Sequence, residues 1–274
     1  MDIGLFLTFF AFCFGLVVGS FFNVLIWRLP RNESIASPGS HCPACNRPIR
    51  WFENMPLLSF ILLRARCPGC KAPISWRYPA VELLTALLMT GIWLFFRDGI
   101  HSWNEWALFV LRASSLVVLI PLSAIDIKHY ILPDSITIPG IAAAILAAFI
   151  PRDIPLLMAL RDCGLGLLTG GGMLLLVGLI GSWIFKKEAM GMGDVKLMAF
   201  LGAFWGWEIA LMGIIFASFV GAAAGGVMLL FRKLGPDHRI PFGPFLAAGT
   251  VAAVFAGKTI AGAYFGLMER VIRF

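Results

Sequence analysis

The chain is 274 residues long, 59% hydrophobic and only 14% charged, with a formal net charge of +7. That balance lies outside the range of a soluble domain and predicts an all-α polytopic membrane protein. A nucleic-acid surface is not expected, because the basic residues are spread over loops and form no single patch.

Apolar runs suited to crossing a bilayer, about 17–25 residues each, are predicted at 3–27, 79–96, 106–125, 135–150, 163–185, 209–231 and 242–267. An eighth run, 195–207, has 13 residues and rises only about 20 Å against a hydrocarbon core of about 30 Å. It must tilt, enter part way or be shielded by neighbours. The first run has neither a basic n-region nor a small-x-small cleavage site, so it is expected to remain as a transmembrane helix. With eight segments and both termini outside, 15 of the 22 Lys and Arg residues fall on the cytoplasmic side, as the positive-inside rule requires. That count includes Arg232, Lys233 and Arg239 inside and Lys258, Arg270 and Arg273 outside.

The sequence divides into a first helix at 1–27, a hydrophilic stretch at 28–78 and a membrane core at 79–274. The hydrophilic stretch carries Cys42-Pro-Ala-Cys45 and Cys67-Pro-Gly-Cys70. Two C-x-x-C pairs present four thiolates from two tight turns, the donor set of a structural zinc site in a zinc-ribbon-like cytoplasmic domain. Two disulfides or a redox pair are the competing readings, and a reducing cytoplasmic loop argues against both. Iron in a rubredoxin-like site would use the same spacing. Cys13 and Cys163 lie in or beside apolar runs and read as small buried hydrophobes.

Around this stretch stand Gly19-Ser-Phe-Phe-Asn23 through Arg28-Leu-Pro30, then Trp51-Phe-Glu53-Asn54-Met-Pro56, and Glu82 at the start of the next apolar run. Singly, the tryptophans read as interfacial anchors and Arg28 as a snorkelling flank. Asn23, Glu53, Asn54 and Glu82 need polar partners near the bilayer, and each is also suited to capping a helix.

Two polar interruptions place an aspartate beside an apolar run: Asp126-Ile-Lys128-His129 through Leu132-Pro133-Asp134, and Gly191-Met-Gly193-Asp194-Val-Lys196. A carboxylate at the bilayer is costly, so each is a functional candidate. Two acids sharing one proton could activate water and polarise a scissile carbonyl. Asp126 and Asp134 are ill placed to be that pair, since eight residues of helix give about 80° of rotation and about 12 Å of rise, and Pro133 breaks the helix. Asp134 is expected to be the N-cap of the next helix. Asp126 and Asp194 remain as the dyad. Gly191 and Gly193 would let a substrate backbone approach, while Lys128 and Lys196 stand close enough to tune the acids or to meet lipid headgroups. The bland alternatives are a solvated Asp126 paired with Lys128 and an Asp194 that caps a helix. Gly170, Gly171, Gly172, Gly221, Gly225 and Gly226 are expected at close helix contacts, Gly221 and Gly225 having G-x-x-x-G spacing.

These motifs together resemble the type IV prepilin peptidases, the leader peptidases and N-methyltransferases of bacterial pilus and type II secretion systems. The resemblance covers nearly the whole chain. It implies an inner-membrane enzyme that removes a basic leader from prepilins or pseudopilins at the cytoplasmic face, with Asp126 and Asp194 catalytic. It also implies N-methylation of the new terminus from S-adenosylmethionine. No Gly-rich dinucleotide-type motif marks a site for that cofactor, which leaves Trp51, Glu53, Asn54 and Glu82 as its candidate contacts. A proton-coupled transporter using the same two acids is the rival from another class. A presenilin-like or preflagellin peptidase without methyl transfer is the nearer one.

Overall fold

The computed structural model describes residues 3–188, 190–230 and 240–272, without the side chains of 229, 258, 261 and 263–272. Arg232, Lys233, Arg239 and Arg273, and the side chains of Lys258 and Arg270, therefore lie outside the described residues. The helices are α1 (Ile3–Arg28), α2 (Leu58–Leu62), α3 (Arg77–Phe96), α4 (Trp103–Val117), α5 (Leu119–His129), α6 (Asp134–Ala147), α7 (Leu156–Leu167), α8 (Met173–Phe185), α9 (Met192–Leu230) and α10 (Gly243–Ile272). Among the described residues there is no strand, only two isolated bridges, His41 with Pro48 and Arg66 with Pro73.

Five helical stretches are long and apolar enough to cross a membrane: Ile3–Arg31, Arg77–Gly99, Trp103–His129, Leu156–Phe185 and Met192–Met228. Asp134–Ala147 and Gly243–Gly257 are shorter apolar helices. The predicted division between 195–207 and 209–231 is real. Gly206, at φ 83° and ψ 171°, is non-helical inside α9, a backbone state open to glycine and strained for other residues. α9 is thus two arms. Between α7 and α8 the stretch Leu168–Gly172 winds as a π-turn, a local widening where three successive glycines leave one face of the helix bare.

The chain forms two units, one of residues up to His101 with Val117–Ile125, the other of Ser102–Leu116 with everything from Asp126 onward. In the first, α1 and α3 meet backbone to backbone. A Cβ on Gly15 would lie 2.6 Å from Ala86 Cα, and one on Gly19 2.6 Å from Glu82 Cα. Asn23 bridges the pair by donating to the Tyr78 carbonyl at 3.2 Å. Arg28 is buried, and its guanidinium donates to the carbonyls of Ser34, at 2.7 Å, and Pro38. It latches the following loop to the end of α1 and does not snorkel.

In the second unit α9 is the centre, packed by α6, α7, α10 and the π-turn. Gly166 and Gly202 touch through bare backbone: a Cβ on Gly166 would sit 1.9 Å from the Gly202 carbonyl oxygen, and the reciprocal distance is 2.0 Å. Gly170 lies against Met198 in the same way, at 2.1 Å, and Gly171 against the Ala199 side chain, at 2.8 Å. Among the described residues, the expected contacts at Gly172 and Gly226 are absent, with nothing within 4 Å, and Gly221 and Gly225 meet only side chains at 3.5 Å or more. The G-x-x-x-G pattern that closes a helix pair here is Gly166 with Gly170.

Gly166→Ala is expected to lower the melting temperature in detergent, because forcing α7 from α9 costs about 1–3 kcal/mol or more. Gly172→Ala, which meets open space, should leave it unchanged. Equal melting of the two variants would contradict the packing described.

Candidate active site and cysteine cluster

Asp126 lies in the last turn of α5, where the chain is still within the apolar segment, and it is 6% exposed. Its Oδ2 accepts the Gly243 N–H at 3.0 Å. Gly243 begins α10, so the positive end of that helix is set against the carboxylate. The fit is tight: a Cβ on Gly243 would stand 2.7 Å from Asp126 Oδ2 and 3.4 Å from Leu132. Gly243 was not singled out from sequence, although Pro241-Phe-Gly243-Pro244 before an apolar run has the composition of a helix entry.

After α5 the chain turns at Tyr130, with φ 56°, and its N–H bonds back to the Asp126 carbonyl at 2.9 Å. That turn aims Leu132 inward, where it is 9% exposed. Its Cβ stands 2.9 Å from where a Gly193 side chain would begin. The space beside Gly193 is therefore filled by this protein's own leucine, not held open for substrate. Gly191 is the open one: among the described residues, a Cβ there would meet only Asp194 Oδ2, at 3.4 Å. Asp194 sits in the first turn of α9, close enough to Asp126 for the two charges to interact.

Asp134 is not an N-cap. α6 starts at Asp134 itself, after Pro133, and no side-chain cap bond forms. Both carboxylate oxygens instead accept from Lys196 Nζ at 2.8 Å. The pair ties the starts of α6 and α9 together, so these helices run side by side in the same direction. Lys128 is exposed and makes no ion pair with Asp126.

The four cysteines gather in the first unit, all four sulfurs lying within 4.8 Å of one another, with Cys42 and Cys70 Sγ 3.8 Å apart. A tetrahedral zinc–thiolate centre with bonds of about 2.3 Å has edges of about 3.8 Å, so the donor set fits such an ion. The two knuckles are copies. Cys42 N–H bonds to the Arg47 carbonyl at 2.9 Å as Cys67 N–H does to Ala72 at 2.9 Å; Asn46 and Lys71 both turn left-handed, at φ 55° and 60°. The repeat extends from Ser40–Ile49 to Ala65–Ile74, an offset of 25 residues that also carries Trp51 onto Trp76.

Backbone N–H groups of Cys70 and Gly69 point at Cys67 sulfur and lower its thiol to about 6. The Ala72 N–H favours a Cys70 thiolate, but burial and the three neighbouring sulfurs outweigh it and push that thiol up to about 11. The cluster needs a cation to hold four thiolates at once. Arg47 locks the copies together, its Cδ lying 3.1 Å from where a Gly69 side chain would begin. Its guanidinium bonds Glu53 at 2.8 Å, and Glu53 also accepts the Arg50 N–H at 3.0 Å. Those two bonds, Arg47 first, hold the Glu53 carboxyl below its ordinary value.

Of the candidate cofactor contacts, Glu53 is thus occupied, and Glu82, buried, accepts the Leu57 N–H at 2.9 Å, clamping the cysteine loop to α3. Trp51 and Asn54 instead line a cavity of about 510 Å³ with Ser20 and Arg28. A smaller adjoining recess, also lined by Asn54, holds Asn23, whose Oδ1 is buried without a hydrogen-bond partner.

Purified protein is expected to carry about one tetrahedral metal ion per chain, and Cys42→Ser or Cys67→Ser to lose it, as read by elemental mass spectrometry. Full metal content in both variants would exclude the four-thiolate site. Because the Glu53 carboxyl is depressed in the folded state, its stabilisation is present above the ordinary value of 4.5 and lost as pH falls through the folded one. Trp51 fluorescence should report an acid transition that Glu53→Gln removes.

Residues 13–96 match the Bacterial Peptidase A24 N-terminal domain, and residues 113–226 match the Type IV leader peptidase family. The chain is 44% identical over 230 residues to a prepilin leader peptidase/N-methyltransferase of Myxococcus xanthus, covering 83% of this chain and 65% of that protein, just under two thirds of its length. It is 36% identical to the protein of that name in Stutzerimonas stutzeri, over 93% and 92% of the two chains. Identity to the Pseudomonas aeruginosa protein is 35%, over 91% and 90%. No solved structure matches. The aspartates and the cysteine cluster fall inside the two matched regions, and the chain belongs to the type IV leader peptidase family.

Proposed function

We propose that this protein is a bifunctional inner-membrane enzyme that cleaves the leader from type IV prepilins or pseudopilins and methylates the new N-terminus. Asp126 and Asp194 are its catalytic acids. The observation that carries the peptidase reading is a buried Asp126, bonded to the Gly243 N–H, with Asp194 in the first turn of α9 within range of its charge.

Two carboxylates within range of each other's charge disfavour double ionisation, so the pair works with one proton between them. The ionised one takes a proton from a water molecule as that water attacks the scissile carbonyl carbon. The protonated one gives its proton to the carbonyl oxygen, forming a gem-diol. The diol then collapses: one hydroxyl returns its proton to the carboxylate that had given one up, the C–N bond breaks, and the leaving amine takes the proton that the other carboxyl had accepted from water, which restores the dyad with one proton. Gly191, open beside Asp194, admits the substrate backbone. Leu132 shields the other side. Lys196 and Asp134 fix the relative position of the helix starts that carry the site.

The full topology belongs to the same proposal: eight passes, both termini periplasmic, and the aspartates at the cytoplasmic edge, where a basic leader would meet them. Residues 28–78 form the metal-stabilised cytoplasmic part. Trp51 and Asn54 would hold S-adenosylmethionine in the 510 Å³ cavity, a size suited to a small-molecule site, with Asn23 in the adjoining recess, and the cofactor would supply an electrophilic methyl group. Trp51 offers a ring face for a planar base, and Asn23 Oδ1 an unused acceptor. The neutral terminal amine must be aligned with that methyl group, so positioning supplies much of the rate.

Mass spectrometry of a synthetic prepilin, incubated with the reconstituted enzyme with and without S-adenosylmethionine, reads leader loss and methyl gain together. Asp126→Asn and Asp194→Asn should each cut leader loss by about 10²- to 10⁴-fold, and Gly243→Ala should do so by displacing the Asp126 carboxylate. Asn54→Ala should spare cleavage and lose methylation. Normal cleavage in both aspartate variants would sink the peptidase assignment.

A further inference from the structure

The second unit contains a cavity of about 360 Å³ far from the aspartates. It opens where α6 and the first arm of α9 end, between Ala147 and Gly206. The other ends of those helices are joined by Asp134 and Lys196. With 14 residues in α6, the separation along the helix is about 20 Å. The cavity is therefore not part of the peptidase site.

Its chemistry is cationic. Arg112 from α4 and Arg152 from the connection between α6 and α7 both line it. Arg152 Nε is buried with no hydrogen-bond partner. Arg112 lies over the Trp205 ring, 5.7 Å from its centroid. Among the described residues neither arginine has a carboxylate within 4.0 Å. Two acids line the same wall, but Asp162 is held by Arg161 at 3.0 Å, and Glu208 makes no ion pair. Placing two guanidinium groups together in a recess is costly unless an anion joins them, and a planar fork of N–H donors matches the oxygens of a phosphate.

The setting selects the source of that phosphate. Trp205 and Trp207 flank the Gly206 break at the mouth, and Trp205 is fixed by donating to Ser115 Oγ at 3.0 Å. Tryptophans at helix ends mark the headgroup level of a bilayer, and basic pockets between transmembrane helices suit anionic headgroups. Leu108, Ala144 and Ala147 give the cavity an apolar wall for the start of an acyl chain. We infer that this cavity binds the phosphodiester of an anionic phospholipid, with Arg112 and Arg152 as its ligands.

Delipidated full-length protein, offered phosphatidylglycerol and phosphatidylcholine in equal amounts, should retain phosphatidylglycerol about tenfold over phosphatidylcholine in native mass spectra, a preference of about 1.4 kcal/mol. Arg112→Gln with Arg152→Gln should abolish the preference, and Arg112→Lys with Arg152→Lys should keep most of it. Prepilin cleavage, at the other end of the helices, reports whether each variant is folded. A parallel titration with inorganic phosphate, read by tryptophan fluorescence, separates the sources: binding of phosphatidylglycerol that phosphate does not displace supports the lipid. Saturable phosphate binding without lipid preference overturns it. Absence of any preference in the unsubstituted protein also overturns it, whether or not the glutamine variant folds.

Discussion

A buried acid in an apolar helical unit constrains everything around it. Asp126 has one backbone donor, Gly243 N–H, and that bond exists only because α10 begins beside the end of α5 without a Cβ at its first residue. A buried carboxylate with its hydrogen bonds removed costs several kcal/mol. The placement of α10, the turn at Tyr130 and the inward Leu132 therefore form one arrangement, and α9 completes it by bringing Asp194. What keeps α9 in place is the opposite of polar chemistry: bare backbone contacts at Gly166, Gly170 and Gly202, where dispersion acts over the shortest possible approach. Rigid packing away from the acids supports the geometry at the acids.

The two units meet different physical demands. In the second, apolar surface is abundant and helices pack through small residues. In the first, the hydrophilic stretch has too few apolar residues to fold on burial alone, and its order comes from repeated polar closures: Arg28 on the Ser34 and Pro38 carbonyls, Glu82 on Leu57 N–H, and Glu53 on Arg47. The cysteine cluster adds a cross-link whose strength depends on a cation. Two of the residues that the sequence offers as cofactor contacts, Glu53 and Glu82, hold the loop in shape, and the open cavity is left to Trp51 and Asn54, with Asn23 in the recess beside it.

Much of this was legible in the sequence because its signals are local. Apolar run length located the helices, even the division of α9, since a short run and a long run separated by Gly206-Trp207-Glu208 cannot be one span. The cysteine spacing and both acids were equally plain. Other features were not legible, for definite reasons. Whether a glycine meets backbone or empty space depends on the partner helix, so the sequence alone does not separate Gly166, which meets backbone, from Gly226, which meets nothing among the described residues. Asp134 carries the composition of an N-cap, but Lys196, 62 positions away, claims its carboxylate. Gly243 is a long-range partner of Asp126 with no chemistry of its own, so no motif announces it. The knuckle repeat could have been found by aligning the stretch against itself.

The Gly206 break sets the length of the helix before it. The arm of α9 that carries Asp194 begins at Met192 and ends at the break, a rise of about 21 Å against a hydrocarbon layer of about 30 Å. Residues 197–204 of that arm are buried among the neighbouring helices, so protein and not lipid covers its short apolar length, and the arm need not span the layer on its own. By ending the arm where it does, the same glycine fixes the length of helix that separates Asp194 from the second arm of α9.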